Sequence, residues 1–383
     1  LHISNHIYEI LMPTIQPSDI WIKSGRFNDY GKEMLKIIDR NKNELLYGPT
    51  NEEMITDIIK NDLKSYKDLP KLLFHVQWKF RDEIRPRFGV MRCREFLMKD
   101  AYSFDISYEE SYSSYCKMFA LYIEIFKSLG LTIIPVKAES GPIGGALSHE
   151  FILETENGET EIFYDRKLQN STKNIINFED KEAIITSVEE MMSFYSCSSE
   201  KHDNDKFVKD VNIDDRVISK GIEVGHIFYF GTKYSEAFDA YFLNNSGKKE
   251  LIHSGSYGIG VSRLVAAIIE ANHDENGIVW PKEVAPFNLG LINVRNDNEI
   301  STNFCENVYQ RLQVKYDILY DDRDIRVGEK FNNMDLLGIP LQLIAGEKNL
   351  SNSNLEIKHR LNGKTELIGV DNLNSYLESY YEL

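Results

Sequence analysis

The stretch FRDEIRPRFGVMRCREFLMKDAYSF, from Phe80 to Phe104, concentrates basic side chains in an acidic chain. It holds five arginines and one lysine, interleaved with aromatic residues, whereas the whole chain has a formal net charge of −16. Guanidinium groups form paired hydrogen bonds with phosphate and carboxylate oxygens, and an aromatic face can stack on a purine. The stretch therefore predicts an anion site, against the plainer alternative of an ion-paired surface hairpin.

The residues on either side of the loop in this stretch predict an antiparallel hairpin. In LLFHVQWKF (residues 72–80), apolar and polar side chains alternate, as they do in a strand. The apolar face comprises Phe74, Val76, Trp78 and Phe80. Pro86 and Gly89 mark a loop, and VMRCREFLM is typical of the returning strand. The side chains expected to project from the hairpin are Arg81, Glu83, Arg92, Arg94 and Phe96.

The length and composition of the chain limit the classes of protein to which it can belong. A chain of 383 residues that is 42% hydrophobic is long enough for two domains. No apolar run is long enough to span a bilayer, so no membrane association is expected. The four cysteines include no CxxC pair, which indicates reduced thiols and predicts a cytoplasmic location. Because the chain begins with Leu1 rather than Met, we expect an N-terminal piece to be missing.

Changes in composition predict the domain boundaries. Residues 1–164 show mixed strand and helix patterns, whereas residues 165–222 are polar and poor in large apolar side chains, as in a short insertion or loosely packed connection. Strand-like patterns resume over residues 223–280. Residues 286–383 alternate strand and helix patterns, which predicts a separate small α/β domain with a partly parallel sheet.

A glycine turn precedes a helical pattern in HSGSYGIGVSRLVAAIIEAN. A dinucleotide-binding fingerprint would need a third glycine where this chain has Arg263, so that fold is disfavoured. The helix dipole does not favour arginine in a first turn, which suggests a role other than helix stability, such as nucleotide binding. The core positions predicted for this helix are Val261, Leu264, Val265, Ile268 and Ile269.

A second helix start lies in LLYGPTNEEMITDIIKNDL. Thr50 and Glu53 fit a capping box, T-x-x-E, ahead of an apolar-periodic helix. Glu52 is not needed for that cap. Two interpretations of Glu52 stay open: a first-turn charge that favours the helix dipole, or a ligand for a cationic group.

Three separated segments resemble the signature motifs of the class II aminoacyl-tRNA synthetases, specifically the bacterial-type enzymes for proline. ILMPTIQPSDIWIKSGR (residues 10–26) is similar to the end of motif 1, the arginine-rich stretch to motif 2, and GSYGIGVSR to motif 3. LYGPTNEE is similar to the proline-binding loop of that family. Two further family segments match SGPIGGALSHEF (residues 140–151) and EVGHIFYFGTKYSEAF (residues 223–238). VWPKEVAPF and DDRDIRVGEKFNNMDLLGIP (residues 321–340) resemble the family's C-terminal domain.

The resemblance implies an α+β catalytic domain, with an antiparallel sheet flanked by helices, followed by a C-terminal α/β anticodon-binding domain. It implies a proline–tRNA ligase that activates proline with ATP, assisted by Mg²⁺, and transfers proline to the 3′ end of tRNA(Pro). It also implies a homodimer, because motif 1 builds the dimer interface in this class. No metal-binding cluster of side chains is expected.

The resemblance also implies residue roles. Arg81 and Arg263 would be the catalytic residues, and Arg81 would bind both the α-phosphate of ATP and the carboxylate of proline. Phe96 and Arg263 would sandwich the adenine. The implied ATP-binding residues are Arg81, Glu83, Arg92, Phe96 and Arg263. The implied proline-binding residues are Thr50, Glu52, Arg81, His149 and His226.

Two departures from the family pattern are visible. The bacterial-type family usually carries a large editing domain between motifs 2 and 3, where this chain has only residues 165–222, so we expect no editing of mischarged tRNA in cis. The chain also begins inside motif 1, which predicts impaired dimerisation or activity for the chain as written.

Three alternatives remain beside this interpretation. One is a non-catalytic regulatory relative of the synthetases, and another is a class II synthetase for threonine or glycine. The third treats the C-terminal region as a receiver-like signalling domain with Asp321–Asp324 as its acidic pocket. The presence of Arg81 and Arg263 favours an enzyme, and the GPTNEE loop favours proline.

Overall fold

A computed structural model describes residues 1–139, 147–174 and 176–381. The chain divides into two compact units, Leu1–Ala267 and Ile268–Leu383. The first part of the quoted SGPIGGALSHEF segment, residues 140–146, lies outside the described residues. None of the described helices is long and apolar enough to cross a membrane.

The first unit combines one large sheet with helices. Its strands are β1 (Tyr8–Glu9), β2 (Ile15–Pro17), β3 (Lys36–Ile38), β4 (Glu44–Tyr47), β5 (Lys71–Phe80), β6 (Glu95–Asp105), β7 (Ile133–Lys137), β8 (Leu147–Glu154), β9 (Thr160–Asp165), β10 (Ser196–Ser198), β11 (Arg216–Gly231), β12 (Tyr241–Leu243), β13 (Lys249–Leu251) and β14 (His253–Gly260). Its helices are α1 (Ser18–Ser24), α2 (Arg26–Asp29), α3 (Glu52–Asp62), α4 (Tyr108–Ser128), α5 (Arg166–Ser171), α6 (Lys181–Ser193), α7 (Asn204–Asp210), α8 (Lys233–Phe238) and α9 (Val261–Ala271), the last running across the boundary between the units.

The large sheet has nine strands in the order β1-β5-β6-β14-β11-β8-β7-β10-β9. Only the β1–β5 and β10–β7 pairs among these described strands are parallel, which confirms the predicted antiparallel character. Helix α4 covers one face with fully buried aromatic side chains, among them Tyr115, Phe119 and Phe126. A second core around Trp21, Leu46, Ile55 and Phe238 joins α1, α3 and α8. The sheet flanked by helices confirms the predicted fold class.

The predicted hairpin is confirmed in its pairing and corrected in its details. β5 and β6 pair antiparallel, with Phe80 opposite Glu95. The returning strand begins only at Glu95, so Arg92 and Arg94 lie in the connection, after a short 3₁₀ turn at Gly89–Met91.

Over residues 75–79, the burial of β5 is the reverse of what its hydrophobic pattern suggests. Val76 and Trp78 are 42% and 48% exposed, whereas His75 and Lys79 are buried at 0% and 1%. The alternation located two faces correctly. It did not reveal that the polar face of the strand is buried, because the carboxylate that pairs with Lys79 comes from β6.

The structure also corrects two other expectations from the sequence, one about α9 and one about residues 165–222. In α9, Leu264 and Ile268 are buried as predicted, but Val265 is exposed. Residues 165–222 are more closely packed than their composition indicated. β10 pairs with both β7 and β9, and α6 packs against α4 with Ile184 and Val188 buried.

The second unit is a separate α/β domain. Its strands are β15 (His273–Asp274), β16 (Gly277–Ile278), β17 (Leu289–Asn293), β18 (Ile318–Asp321), β19 (Leu341–Ala345), β20 (Asn354–His359) and β21 (Thr365–Gly369). Its helices are α10 (Glu299–Leu312), α11 (Val327–Leu337), α12 (Glu347–Leu350) and α13 (Leu373–Tyr381). The main sheet has the order β18-β17-β19-β20-β21, in which β17 runs parallel to β18 and β19 and the other pairs are antiparallel. The partly parallel sheet was predicted from the alternating pattern.

Candidate active site

A pocket of about 650 Å³ lies in the first unit, lined by β6, β11, β14 and the start of α3. Eight of the side chains proposed from the sequence line it: Thr50, Glu52, Arg81, Glu83, Arg92, Phe96, His226 and Arg263. Residues that are far apart in the sequence therefore meet in one cavity.

Arg81 directly follows β5 and is held by backbone and ring contacts. Its backbone N–H donates to the carbonyl of Arg94 at 2.8 Å, which extends the hairpin pairing. Its Nε and Nη2 both donate to the carbonyl of Pro49 at 3.3 Å, and its guanidinium carbon lies 5.3 Å from the centre of the Phe96 ring. These contacts fix the plane of the guanidinium fork in the pocket.

The carboxylate of Glu52 is held by three side-chain donors. Thr50 Oγ1 donates to its Oε2 at 2.6 Å, and Ser256 Oγ donates to its Oε1 at 3.0 Å. Arg26 Nη1 donates to Oε2 at 3.2 Å. Glu52 is only 3% exposed. Three donors from three different elements therefore fix the orientation of this carboxylate.

The predicted capping box at Thr50 and Glu53 is wrong. Asn51 occupies the N-cap position of α3, and among the described residues its side chain caps no helical N–H. Thr50 donates to Glu52 instead, and Glu53 is fully buried against Arg26. A cap contributes only about 1 kcal/mol, whereas a carboxylate buried without its cationic partner costs several times more. The ion pair with Arg26 therefore decides where Glu53 points, and no local pattern could show it.

A buried polar network adjoins the pocket through Asp100, which lines it. Lys79 Nζ contacts Asp100 Oδ2 at 2.8 Å and donates to Asn51 Oδ1 at 2.8 Å, with His75 Nε2 at 3.2 Å. Burial opposes the ionisation of Asp100, but Lys79 and His75 hold its pKa well below the ordinary value. The network keeps an ionised carboxylate at the pocket surface and ties β5 to the start of α3.

A second charged group surrounds His226 on β11. His226 Nδ1 lies 3.3 Å from Glu223 Oε1 and 3.8 Å from Glu150 Oε1, and Arg263 Nη1 contacts Glu223 Oε2 at 3.2 Å. Burial opposes the ionisation of Glu223, but the His226 hydrogen bond and Arg263 lower its pKa to about 2. Burial, together with the Glu223 charge, raises the pKa of Glu150 to about 7.

The same three side chains form the one grouping that could hold a metal ion within the described ranges. Ligand atoms of Glu150, Glu223 and His226 all lie within 4.8 Å of one another. The sequence had indicated no metal-binding cluster, because Glu150 is on β8 while the other two are on β11.

His149 is not brought to the pocket. Its ring is buried on β8, where Nδ1 shares a hydrogen bond with the Tyr115 hydroxyl at 2.7 Å and the ring packs edge-on against Phe119. Burial lowers the pKa of His149 to about 3, so the imidazole is neutral. The expectation that it contacts proline is corrected, since neighbouring side chains on a strand face opposite sides of the sheet.

Two family models match the sequence. The tRNA synthetase class II core domain (G, H, P, S and T) matches residues 35–272, and the anticodon binding domain matches residues 289–380. The proline–tRNA ligase of Bartonella quintana (strain Toulouse) is 54% identical over 368 residues, which cover 95% of this chain and 83% of the relative. This chain belongs to the proline–tRNA ligase family.

Other proline–tRNA ligases show the same extent of similarity. That of Rickettsia bellii (strain OSU 85-389) is 52% identical over 372 residues, covering 96% of this chain and 83% of the relative. That of Parvibaculum lavamentivorans is 50% identical over 359 residues, covering 94% and 82%. The family resemblance inferred from the motifs is confirmed. The receiver-like alternative for the second unit is wrong, because that region matches an anticodon-binding domain.

Several pocket residues of this proline–tRNA ligase family member were missed in the sequence. Arg26, Glu223 and Ser256 all fall inside motif segments quoted above, so their location in those segments was a usable signal. Asp100 lies in the arginine-rich stretch itself. None carries a local pattern that distinguishes a pocket residue from a surface or core residue.

Proposed function

We propose that this chain activates proline with ATP in the pocket of the first unit, and then transfers proline to the 3′ end of tRNA(Pro). The class II core match and the shared name of the relatives support the reaction. The observation that best supports this pocket as the site is the presence of Arg81 and Glu52 in one cavity. Arg81 suits the anionic groups of both substrates, and Glu52 suits the cationic ring nitrogen of proline.

ATP binds along Arg81, Glu83, Arg92, Phe96 and Arg263. The fork of Arg81 matches the α-phosphate oxygens. Phe96 and Arg263 offer two flat faces for the adenine, one aromatic and one cationic. Arg263 is held ready for this by its Nε, which donates to the Met91 carbonyl at 3.1 Å, and by its contact with Glu223.

Proline binds to Thr50, Glu52, Arg81 and His226. Support comes from the fixed carboxylate of Glu52 and from the position of Thr50 beside it. The guanidinium of Arg81 receives the proline carboxylate, so that the two substrates meet at one side chain. His149 is left out of this set because its ring lies against Tyr115.

The chemistry needs positioning and charge stabilisation rather than a protein nucleophile. A carboxylate oxygen of proline attacks the α-phosphorus of ATP in line. The bond from that phosphorus to the bridging oxygen breaks, and pyrophosphate leaves with the electron pair. Arg81 donates to the α-phosphate oxygens as charge builds on them. A terminal ribose hydroxyl of tRNA then attacks the prolyl carbonyl carbon, which forms the ester and releases AMP and a proton.

Mg²⁺ would be held by the carboxylates of Glu150 and Glu223, which lie beside His226. The two carboxylates fit a hard cation that prefers oxygen ligands, and the ion would complete its shell with water and phosphate oxygens. When it is bound, the ion neutralises negative charge on the phosphates of ATP. Glu223 also holds Arg263, so this group of residues links the adenine and phosphate ends of the ATP site.

A homodimer is proposed through the β1 edge of the nine-stranded sheet. Several apolar side chains are exposed on or beside this edge: Tyr8, Leu11, Val76 and Trp78. Exposed apolar patches of this kind mark interaction surfaces. A two-fold contact between the same patches of two copies would cover them in both.

A cytoplasmic location is proposed for the enzyme. All four cysteines are free, as expected for a protein kept in a reducing compartment. Three of them are buried, and Cys93 is half-buried.

Amino-acid-dependent exchange of pyrophosphate into ATP tests the proposal. The wild-type chain is compared with Arg81→Ala, with proline, alanine, cysteine, threonine and glycine as substrates. Exchange driven mainly by proline and lost in the variant is the expected result. Exchange driven better by another amino acid, or unaffected by the substitution, would contradict it.

A further inference from the structure

Arg26 lines the pocket beside Glu52 and is not among the residues proposed to contact ATP or proline. It is 3% exposed, at the start of α2, and its Nη1 contacts both Glu52 and Glu53. The contact with Glu53 is the closer one, at 3.0 Å to Oε1 and 3.1 Å to Oε2, against 3.2 Å to Glu52 Oε2. One guanidinium nitrogen therefore bridges two adjacent carboxylates.

Glu53 serves as the anchor for Arg26. It is fully buried, and Ser24 Oγ donates to its Oε1 at 2.8 Å. The rings of Trp21 and Tyr30 lie 5.1 Å and 5.4 Å from the guanidinium carbon. Burial opposes the charge of Arg26, but Glu53 and Glu52 raise its pKa above the ordinary value. The guanidinium is thus a fixed cation and not a mobile surface charge.

Fixing Arg26 also fixes Glu52. An ionised carboxylate offers about four acceptor sites. Thr50, Ser256 and Arg26 use three of those of Glu52. A carboxylate held in this way is left with capacity for about one further donor, and Glu52 lines the pocket.

We propose that Arg26 is a positioning residue for proline: held by Glu53, it aims the remaining acceptor site of Glu52 at the ring nitrogen of the substrate. The inference rests on the proposed function and deepens it. Arg26 acts only through Glu52, so its removal affects the binding of proline and leaves that of ATP largely intact. Side chains that are already held in their binding orientation contribute more to the free energy of binding, because less conformational entropy is lost when the substrate binds.

The test is the pyrophosphate exchange assay on Arg26→Gln, with the KM for proline and for ATP measured separately. The KM for proline should rise by about 10-fold or more, the effect of losing a well-oriented charged contact, while the KM for ATP stays within about twofold. Arg26→Lys keeps the charge but not the planar fork, and should recover part of the loss. Equal changes in both KM values, or no change in the KM for proline, would overturn the proposal.

Arg216→Gln is the matched control. Arg216 is another arginine held within the first unit, by the backbone carbonyls of Val208 and Val211, and it lies outside the pocket lining. The Arg216→Gln substitution should lower the melting temperature of the protein and leave the KM for proline unchanged. A rise in that KM equal to the one in Arg26→Gln would show that general destabilisation explains both.

A double variant, Arg26→Gln with Glu53→Gln, separates positioning from charge compensation. It removes the cation together with the carboxylate that anchors it, so the melting temperature should recover relative to Arg26→Gln. The KM for proline should stay high, because Glu52 still lacks its donor. Recovery of the KM in the double variant would overturn the proposal. A wild-type chain without proline-dependent exchange would instead overturn the proposed function itself.

Discussion

Individual side chains of the pocket are held by contacts that a change of residue type cannot reproduce. Arg81 makes two hydrogen bonds to one carbonyl and packs against Phe96. A lysine would keep the charge but could not form the paired contact with a phosphate or carboxylate. The shape of the guanidinium is therefore as important as its charge.

Arg81→Lys should lower kcat/KM for pyrophosphate exchange by about 100-fold or more, for proline and ATP alike. Arg94→Lys is the control, because Arg94 is half exposed and pairs with Asp82 outside the pocket lining. Its effect should stay within about twofold. Similar effects of the two substitutions would contradict the assignment of Arg81.

Lys99 is a buried basic residue outside the pocket, and its altered pKa makes the stability of the fold depend on pH. It lies on β6 beside His2 and the Tyr122 hydroxyl, and burial lowers its pKa from 10.5 to about 7. The unfolded chain therefore binds a proton more readily than the folded chain above about pH 7, so this group makes the fold more stable as the pH rises from about 7 toward 10.5.

Lys99→Met removes this pH dependence. The variant should be the more stable form at about pH 7, and its advantage should shrink by about 1.4 kcal/mol for each pH unit up to about pH 9.5. Urea denaturation at both pH values measures the difference in the free energy of unfolding. If the difference in the free energy of unfolding between Lys99→Met and the wild-type chain is the same at the two pH values, the Lys99 amine has an ordinary pKa.

Single residues of the site were predictable where they belong to a motif, and not where they depend on distant partners. Arg81, Thr50 and Glu52 were recognised from the segments that contain them. Arg26 was not, since its role is visible only when α2 and α3 are seen together. His149 was assigned to the pocket because the sequence does not show which face of β8 is open.

At the scale of elements, the start of α3 departs from the expected helix cap. Thr50 would have been a structural residue in a capping box, but it donates to Glu52. A real cap is present at α4, where Ser107 Oγ accepts a hydrogen bond from the backbone N–H of Glu110 at 3.3 Å. Thr50 and Ser107 therefore provide a direct comparison between a hydroxyl that lines the pocket and a hydroxyl that caps a helix.

Thr50→Val should raise the KM for proline by about 10-fold, since it removes a hydrogen bond to a charged group, with little loss of stability. Ser107→Ala should cost about 1 kcal/mol of stability and leave the KM unchanged. Thermal unfolding and exchange kinetics on both variants check this. Loss of stability in Thr50→Val without a change in KM would restore the capping interpretation.

The sequence predicted the positions of strands and helices more reliably than it predicted which of their faces are buried. The β5–β6 hairpin and the parallel strands of the second unit were predicted from alternation and strand–helix order. The buried face of β5 was not, because the carboxylate that His75 and Lys79 contact belongs to Asp100 on the neighbouring strand. Hydrophobic periodicity cannot register a polar network whose members come from different strands.

At the scale of the whole molecule, the exposed face of β5 bears on assembly. Val76 and Trp78 are apolar, exposed and next to the edge strand β1. Trp78→Glu should shift the chain toward the monomer, because it buries an unpaired charge in the proposed interface. Light scattering across a concentration series measures the mass.

Ile213→Glu is the control for assembly. Ile213 is 72% exposed and lies in a turn just before β11, which is four strands away from β1 in the sheet order. It should leave the mass unchanged. A mass that responds equally to both substitutions, or to neither, would contradict an interface at β5.

The arrangement of the pocket is tested most directly by a crystal structure with a non-reactive analogue of prolyl-adenylate. We expect the ring nitrogen about 3 Å from the Glu52 carboxylate, the phosphate mimic at Arg81, and the adenine between Phe96 and Arg263. A ring nitrogen remote from Glu52, or an adenine bound away from those two side chains, would contradict it.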